Sequence, residues 1–372
     1  MSTATSIKSN TELYNERLTR IKKAVALEKP DRIPVVPTAN AFCARHQGVK
    51  MADFAQNVEI SHQTMLKSFL SFGDIDASQQ PLFSPYLLSF AWLSKVDIPG
   101  ITLGENEMWQ VHEGELMTEA DYDVIINKGY GYFFGDFTMN RLDNLMARLG
   151  PVFGFTPTAI KNFADAGLVT LSPVILCSPF EVFCGGRSMS KFMRDLYRMP
   201  DKVHAALQVA QAEIKQMSRP ALQGCIGAWV GGWRAASELV APKLWDRFCW
   251  PYIKELVELA DEAGVIPILH MDANWERDLA RFRELPKAKC VFASDSATNI
   301  YKIKEALDGH MCIMGDVPPA LFALGTPDDV YNYSRKLIRD IGPSGFILSS
   351  GCDIPFNAKP ENVAAMIAAV HG

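Results

Sequence analysis

The chain has 372 residues, 48% of them hydrophobic and 21% charged, a balance that supports a large buried core and excludes a disordered polymer. Its formal net charge is −5 with Lys and Arg dispersed along the length, so no cationic face is present to neutralise nucleic acid or an anionic bilayer surface. The first ten residues are polar and no run approaches the roughly 18 apolar residues that span a membrane, which predicts a cytoplasmic protein.

Residues 1–30 read as a helical extension ahead of one barrel domain over 31–372. Short apolar runs recur at 33–37, 75–79, 169–177, 224–230, 265–270, 290–293, 311–315 and 345–349, separated by segments with helical spacing of apolar residues such as 243–263. Strand and helix in alternation predict an α/β protein of parallel βαβ units, and eight strands favour a closed (β/α)8 TIM barrel over an open sheet. Residues 82–165 break the alternation, and the Gly- and acid-containing stretch DIPGITLGENEMWQVHEGELMTEADYDVII reads as an insertion over the barrel mouth. Eight cysteines lie singly between Cys43 and Cys352, without the spacing of a disulfide framework, and are expected as thiols.

In such a barrel, chemistry sits at the carboxyl ends of the strands, where loops vary freely. The run VIPILH ends in His270, and Met271 and Asp272 follow. Residues two apart on extended backbone project to one side, so His270 and Asp272 can grip a single ion. GFILSS runs through Gly351 into Cys352 and brings a thiol to the same rim. Imidazole, carboxylate and thiolate make three protein ligands, the number a catalytic zinc takes while keeping one position open. Each also has an ordinary alternative: a hydrogen-bonded barrel histidine, a helix N-cap and a core thiol. Glu238, in the loop after 224–230, is a candidate fourth ligand, a carboxylate orienting His270, or a solvated glutamate. Asp272 and Glu238 are thus the candidate catalytic carboxylates, while Asp295 and Asp316, each just past a strand, face the mouth or cap helices.

Aromatic residues gather in segments expected to overhang the mouth: Phe83, Tyr86, Phe90 and Trp92, then Tyr130, Tyr132, Phe133 and Phe134, then Trp229 and Trp233. Phe83, Tyr86, Trp229, Trp233 and Phe356 are the substrate-binding candidates, suited to a flat apolar ligand. The same rings would also cage a quaternary ammonium, but Arg234 beside Trp233 disfavours a cation there.

The segments ILHMDAN, IMGDVPPALFALGTPDDV and ILSSGCDIPFNAKPENVAAMIAAV resemble the C-terminal half of the uroporphyrinogen decarboxylase superfamily. The likeness extends to SELVAPKLWDRFCWPYIKELV, SPFEVFCGGRSMSKFMRDLYRMPDKV and DRIPVVP. Its zinc-dependent corrinoid-protein methyltransferases carry His-x-Cys and, much later, a Cys in a Gly-Cys loop; His270 and Cys352 match, and Asp272 stands at the middle position. The resemblance implies a methyltransferase that holds Zn2+ through His270, Asp272 and Cys352, with Glu238 as a further candidate, and works with a cobalamin or other corrinoid carried by a partner protein. The decarboxylase branch's Arg-Gln-Ala-Gly-Arg motif is absent, TANAFCARHQGVK with Arg45 and His46 standing there, and ASQQPL replaces the segment of its pyrrole-binding Asp. Exchanging a thiolate ligand for a carboxylate makes zinc a stronger Lewis acid and favours polarising an oxygen over activating a thiol. The expected methyl donor is therefore an aryl methyl ether, undergoing O-demethylation, ahead of a thiol carrier and a methylated amine. A uroporphyrinogen-type decarboxylase and a non-catalytic ligand- or corrinoid-binding barrel are the alternatives. The expected partners are a corrinoid protein and a methoxylated aromatic, with a homodimer left open.

Overall fold

The computed structural model describes residues 8–372; residues 1–7 of the expected helical extension, and with them most of the polar start, lie outside these. The extension is a helix, Asn10–Val25, started by a capping box in which Ser9 Oγ accepts from Glu12 N and the Glu12 carboxylate accepts from Ser9 N.

The strands are β1 (Ala77–Ser78), β2 (Lys95–Asp97), β3 (Gln110–His112), β4 (Val169–Thr170), β5 (Val174–Leu176), β6 (Gly227–Gly232), β7 (Ile266–Met271), β8 (Val291–Ser294), β9 (Cys312–Val317) and β10 (Phe346–Ser350). β5 to β10 form a parallel sheet in sequential order, and β1 pairs in parallel with β4. Four backbone hydrogen bonds complete the ring: Val36 N to Leu348 O, Leu348 N to Pro34 O, Asp76 N to Val35 O and Leu171 N to Ser78 O. The run at 33–37 contributes only the bridge of Val35 to Leu348, because Pro34 and Pro37 have no N–H to add rungs. The run at 169–177 likewise divides into β4 and β5 around Pro173.

The ring separates two cores. Inside it, Val36, Ala77, Val169, Leu171, Ile268, Val291, Ala293, Cys312, Met314 and Ile347 pack together with Ile21, Ala24 and Val25 of the helix Asn10–Val25. That helix plugs the amino-terminal end, and each fully buried Ile or Val there stabilises the fold by about 1.5–3 kcal/mol. Its arginines serve the same end: Arg17 donates to Gly167 O and Gly73 O, and Arg20 pairs with Asp31, Asp76 and Glu16. Asp76 also takes Arg32 at 2.7 Å and Val35 N at 2.7 Å. Outside the ring, a larger apolar cluster joins strands to helices.

Residues 82–165 hold the helix Tyr86–Trp92, the antiparallel pair β2–β3, and the helices Glu119–Lys128, Tyr130–Asn140 and Leu145–Asp165. The last of these packs on the helices Asn10–Val25 and Val58–Ser71 and leads into β4, the position of a crossover helix, so the departure from βα alternation ends near residue 144. The earlier part packs on the carboxyl side of the barrel: Leu116 N and Met117 N donate to Gly186 O, and Arg187 binds Glu115 at 2.5 Å.

Candidate metal centre

Along β7 the inward positions run Ile268, then His270, so the interior turns from apolar to polar at the carboxyl end. Register partners on parallel strands face the same side, which sets Trp229 beside Ile268 and Gly231 beside His270. The Trp229 indole meets the His270 ring edge-on at 4.6 Å. Gly231 leaves room for the Trp233 ring, which a Cβ there would strike.

Beyond β7 the chain turns sharply through Ala273, at φ +67°, and neighbouring loops pin that turn. Asp272 N donates to Gly232 O at 3.0 Å, and Asp295, past β8, accepts from Ala273 N at 2.7 Å and Ala297 N at 2.8 Å. Thr298 Oγ1 accepts from Trp275 N and donates to Ala273 O, each at 3.0 Å, while Trp275 Nε1 donates to Asp272 O at 2.6 Å. Asp272 is therefore held by its backbone, which leaves its carboxylate free. From β10 the chain reaches Cys352 through Gly351, where a Cβ would lie 2.8 Å from Asp295 O.

These loops bring His270, Asp272 and Cys352 together. Nε2 of His270 lies 2.8 Å from Asp272 Oδ1 and 3.9 Å from Cys352 Sγ, and the three ligand atoms all fall within 4.8 Å of one another. Despite its closeness to Nε2, Asp272 Oδ1 is buried and receives no aligned hydrogen bond. Tetrahedral zinc with bonds of about 2.0–2.3 Å sets its ligands about 3.3–3.8 Å apart. The set fits a cation after small side-chain adjustment, with the Asp272 oxygen that now lies beside the His270 ring as one of its ligands. Burial works to lower the His270 pKa, but the adjacent Asp272 and Cys352 outweigh it and push it up to about 10. The pocket is thus built for a positive charge.

Other expected residues stand elsewhere. Glu238 is exposed, and its Oε1 accepts from Asn274 N at 3.0 Å, so it braces the ligand loop from outside. Asp316 is buried and accepts from Tyr333 OH at 3.1 Å; burial pushes its carboxyl up to about 7. Phe83 packs on Trp109, the Tyr86 hydroxyl accepts from Arg148, and Phe356 lies beneath Arg45. Tyr130, Phe133 and Phe134 are buried core residues, while Tyr132 is exposed. Trp233 meets Trp92 edge-on at 5.1 Å.

Two carboxylates near these loops escaped the sequence reading. Asp353, next to Cys352, accepts from Asn40 N at 2.9 Å, and burial pushes it up to about 7. Its adjacency to the Gly-Cys loop was the available signal. Glu181 is fully buried and accepts from the backbone N–H groups of Trp233, Arg234 and Ala235 at 2.9–3.0 Å. Nothing in its sequence setting separates it from an ordinary glutamate in a first helical turn. All eight cysteines are free, and no helix among the described residues is long and apolar enough to cross a membrane.

The uroporphyrinogen decarboxylase (URO-D) family profile matches residues 143–372. A methylcobamide:CoM methyltransferase, MtbA, of Methanosarcina acetivorans is 29% identical over 136 residues, 36% of this chain and 38% of that protein. A uroporphyrinogen decarboxylase of Geotalea daltonii is 25% identical over 209 residues, covering 52% and 58% of the two chains. That of Anaeromyxobacter dehalogenans is 26% identical over 376 aligned residues, 95% and 98%. The first two matches thus span well under two thirds of the relatives' lengths. Among solved structures, a methyltransferase from Methanosarcina mazei superposes with a TM-score of 0.71 at 17% identity, covering 95% of this chain and 98% of that one, a likeness of fold.

Proposed function

The chain belongs to the uroporphyrinogen decarboxylase family, and from that premise we propose that it is a zinc-dependent methyltransferase that moves the methyl of an aryl methyl ether to the Co(I) corrin of a partner corrinoid protein. The observation that carries the reading is the convergence of His270 Nε2, Asp272 Oδ1 and Cys352 Sγ, three ligand-type atoms within 4.8 Å of one another. Zinc held there supplies a Lewis acid that stabilises the charge developing on an ether oxygen as its methyl departs. His270 and Cys352 bind from two distant strand ends, and Asp272 adds the oxygen ligand that sets Lewis acidity above thiol activation. Asp295 and Thr298 hold the Asp272 turn in place. Trp229 provides an apolar wall against His270 and limits water at the cluster.

The decarboxylase alternative needs free cations for a polycarboxylate. His46 Nδ1 is bonded to Ser68 Oγ at 2.9 Å, and Arg45, which lies over the Phe356 ring at 5.3 Å, is a single arginine where the decarboxylase motif supplies two. The MtbA likeness keeps a thiol carrier as the second donor or acceptor class.

Metal analysis and a Co(I) corrin methylation assay across methoxyaromatics, thiols and methylamines test the proposal. The expected result is about one zinc per chain, lost on His270→Ala or Cys352→Ala, with corrin methylation only when a methoxyaromatic is supplied. Full activity in zinc-free protein sinks the reading, and methylation supported by thiols alone replaces it with the thiol-carrier one.

A further inference from the structure

Of the three converging side chains, the thiol of Cys352 has the least to hold it. His270 sits within the β7 ladder, and the turn at Asp272 is pinned through Asp295, Thr298 and Trp275. Cys352 lies past the end of β10, and among the described residues its own backbone N and O make no hydrogen bond. Its place is therefore set by its neighbours on either side. On the strand side, Gly351 N donates to Val317 O at 2.9 Å. On the far side, Asp353 Oδ1 accepts from Asn40 N at 2.9 Å, and Ile354 N donates to Thr38 O at 2.8 Å.

Both far-side bonds reach the loop at 38–40, which follows the run at 33–37. That loop is fastened to β10, where Ser350 Oγ accepts from Thr38 N at 3.2 Å and donates to Thr38 O at 3.4 Å. It is thus a fixed edge beside residues 351–354. Asn40 N finds no backbone acceptor among the described residues, and the Asp353 carboxylate is what receives it. Without that oxygen the chain beyond Cys352 is tied to the loop only through Ile354 N, one residue further from the thiol. A metal site tolerates little drift, since its ligand bonds must fall within about 0.2 Å of their ideal lengths.

We propose that Asp353 is a positioning residue: by holding Asn40 N it keeps Cys352 at the distance from His270 and Asp272 at which the three can share one ion. That the ion is zinc rests on the proposed function; the restraint on Cys352 does not.

Two readouts on the full chain test this, in wild type, Asp353→Ala and Asp353→Asn. In metal-free protein, the rate at which iodoacetamide alkylates Cys352, mapped by mass spectrometry, reports the freedom of the thiol. Cys225, a partly buried thiol ahead of β6 at the amino end of the barrel, is the reference. Competition with a chelator gives zinc affinity. Asp353→Ala should raise alkylation of Cys352 by about tenfold, the scale of one lost hydrogen bond, leave Cys225 unchanged, and lower zinc affinity by about 10–100-fold. Asp353→Asn keeps an oxygen for Asn40 N, so both readouts should stay within about threefold of wild type.

Wild-type alkylation and zinc affinity in Asp353→Ala overturn the inference. So does Asp353→Asn behaving like Asp353→Ala, which assigns the effect to charge, and so does equal acceleration at Cys225, which marks a general loosening. Faster alkylation of Cys352 alone in Asp353→Ala, with zinc bound by none of the proteins, upholds the brace and removes the zinc reading. Zinc held equally by wild type and Asp353→Ala, with equal alkylation, does the reverse.

Discussion

The two ends of the barrel treat polar groups in opposite ways. At the amino end the arginines of the first helix meet carboxylates or the loop carbonyls of Gly73 and Gly167, and Arg20 draws Asp31 down to about 2. At the carboxyl end, burial pushes Asp316 and Asp353 up to about 7, and Asp272 Oδ1, Ser349 Oγ and Trp229 Nε1 are buried without hydrogen-bond partners. A satisfied buried network stabilises a fold, whereas an unsatisfied one costs stability until a ligand completes it. The contrast points to the carboxyl end as the functional one.

Breaking the saturated end should cost most in stability and nothing in metal. Asp76→Ala strips Arg20, Arg32 and Val35 N of an acceptor, and the expected loss is about 3–5 kcal/mol in urea unfolding. Zinc content of the folded fraction should stay the same; a fall in zinc without loss of stability would erase the distinction between the ends.

Next comes pH. The folded pKa of Asp316, about 7, lies above its ordinary value of 3.8. Its protonated form is thus the one the fold favours, so its stability contribution is complete below about pH 4 and is lost as pH rises through 7. Asp316→Asn should remove that decline, up to about 4 kcal/mol between pH 4 and pH 8. Unfolding curves of both proteins across that range check it, and parallel profiles would show that Asp316 is not penalised by burial.

At the carboxyl end, Asp295→Ala unpins Ala273 and with it Asp272. Zinc affinity should fall by about 10–100-fold, the usual effect of losing a residue that orients a ligand, with a smaller effect on unfolding. Competition with a chelator measures it. The smallest change belongs to Glu238→Ala, which removes one exposed hydrogen bond to Asn274 N, and zinc affinity should move by about threefold or less. An effect of Glu238→Ala larger than that of Asp295→Ala would place Glu238 nearer the metal than its exposed position allows.

Much of this was legible before any coordinates. The apolar runs marked the strand positions because a parallel barrel strand is buried on both faces, and the His270–Asp272 spacing and the Gly351–Cys352 loop marked, by their place past strand ends, three residues that the structure brings together. Strand limits were less legible: β6 starts three residues after the run at 224 and reaches Gly232, since the ladder, not apolarity, ends a strand. The aromatics of 130–134 looked like a mouth lining, yet Tyr130, Phe133 and Phe134 are core, because composition alone does not say which face of a helix is covered.

What the sequence determined by itself was local: alternation of strand and helix, and the residue types placed just past each strand. Only the tertiary structure decided which of those residues meet. His270 and Cys352 are 82 positions apart and converge because β7 and β10 end on one closed rim. The same closure buried Glu181 beneath the loop of Arg234, left Glu238 in solvent, and removed water from Asp272 Oδ1. Burial and convergence are properties of packed chains, and they turn an ordinary histidine, aspartate and cysteine into a candidate metal centre.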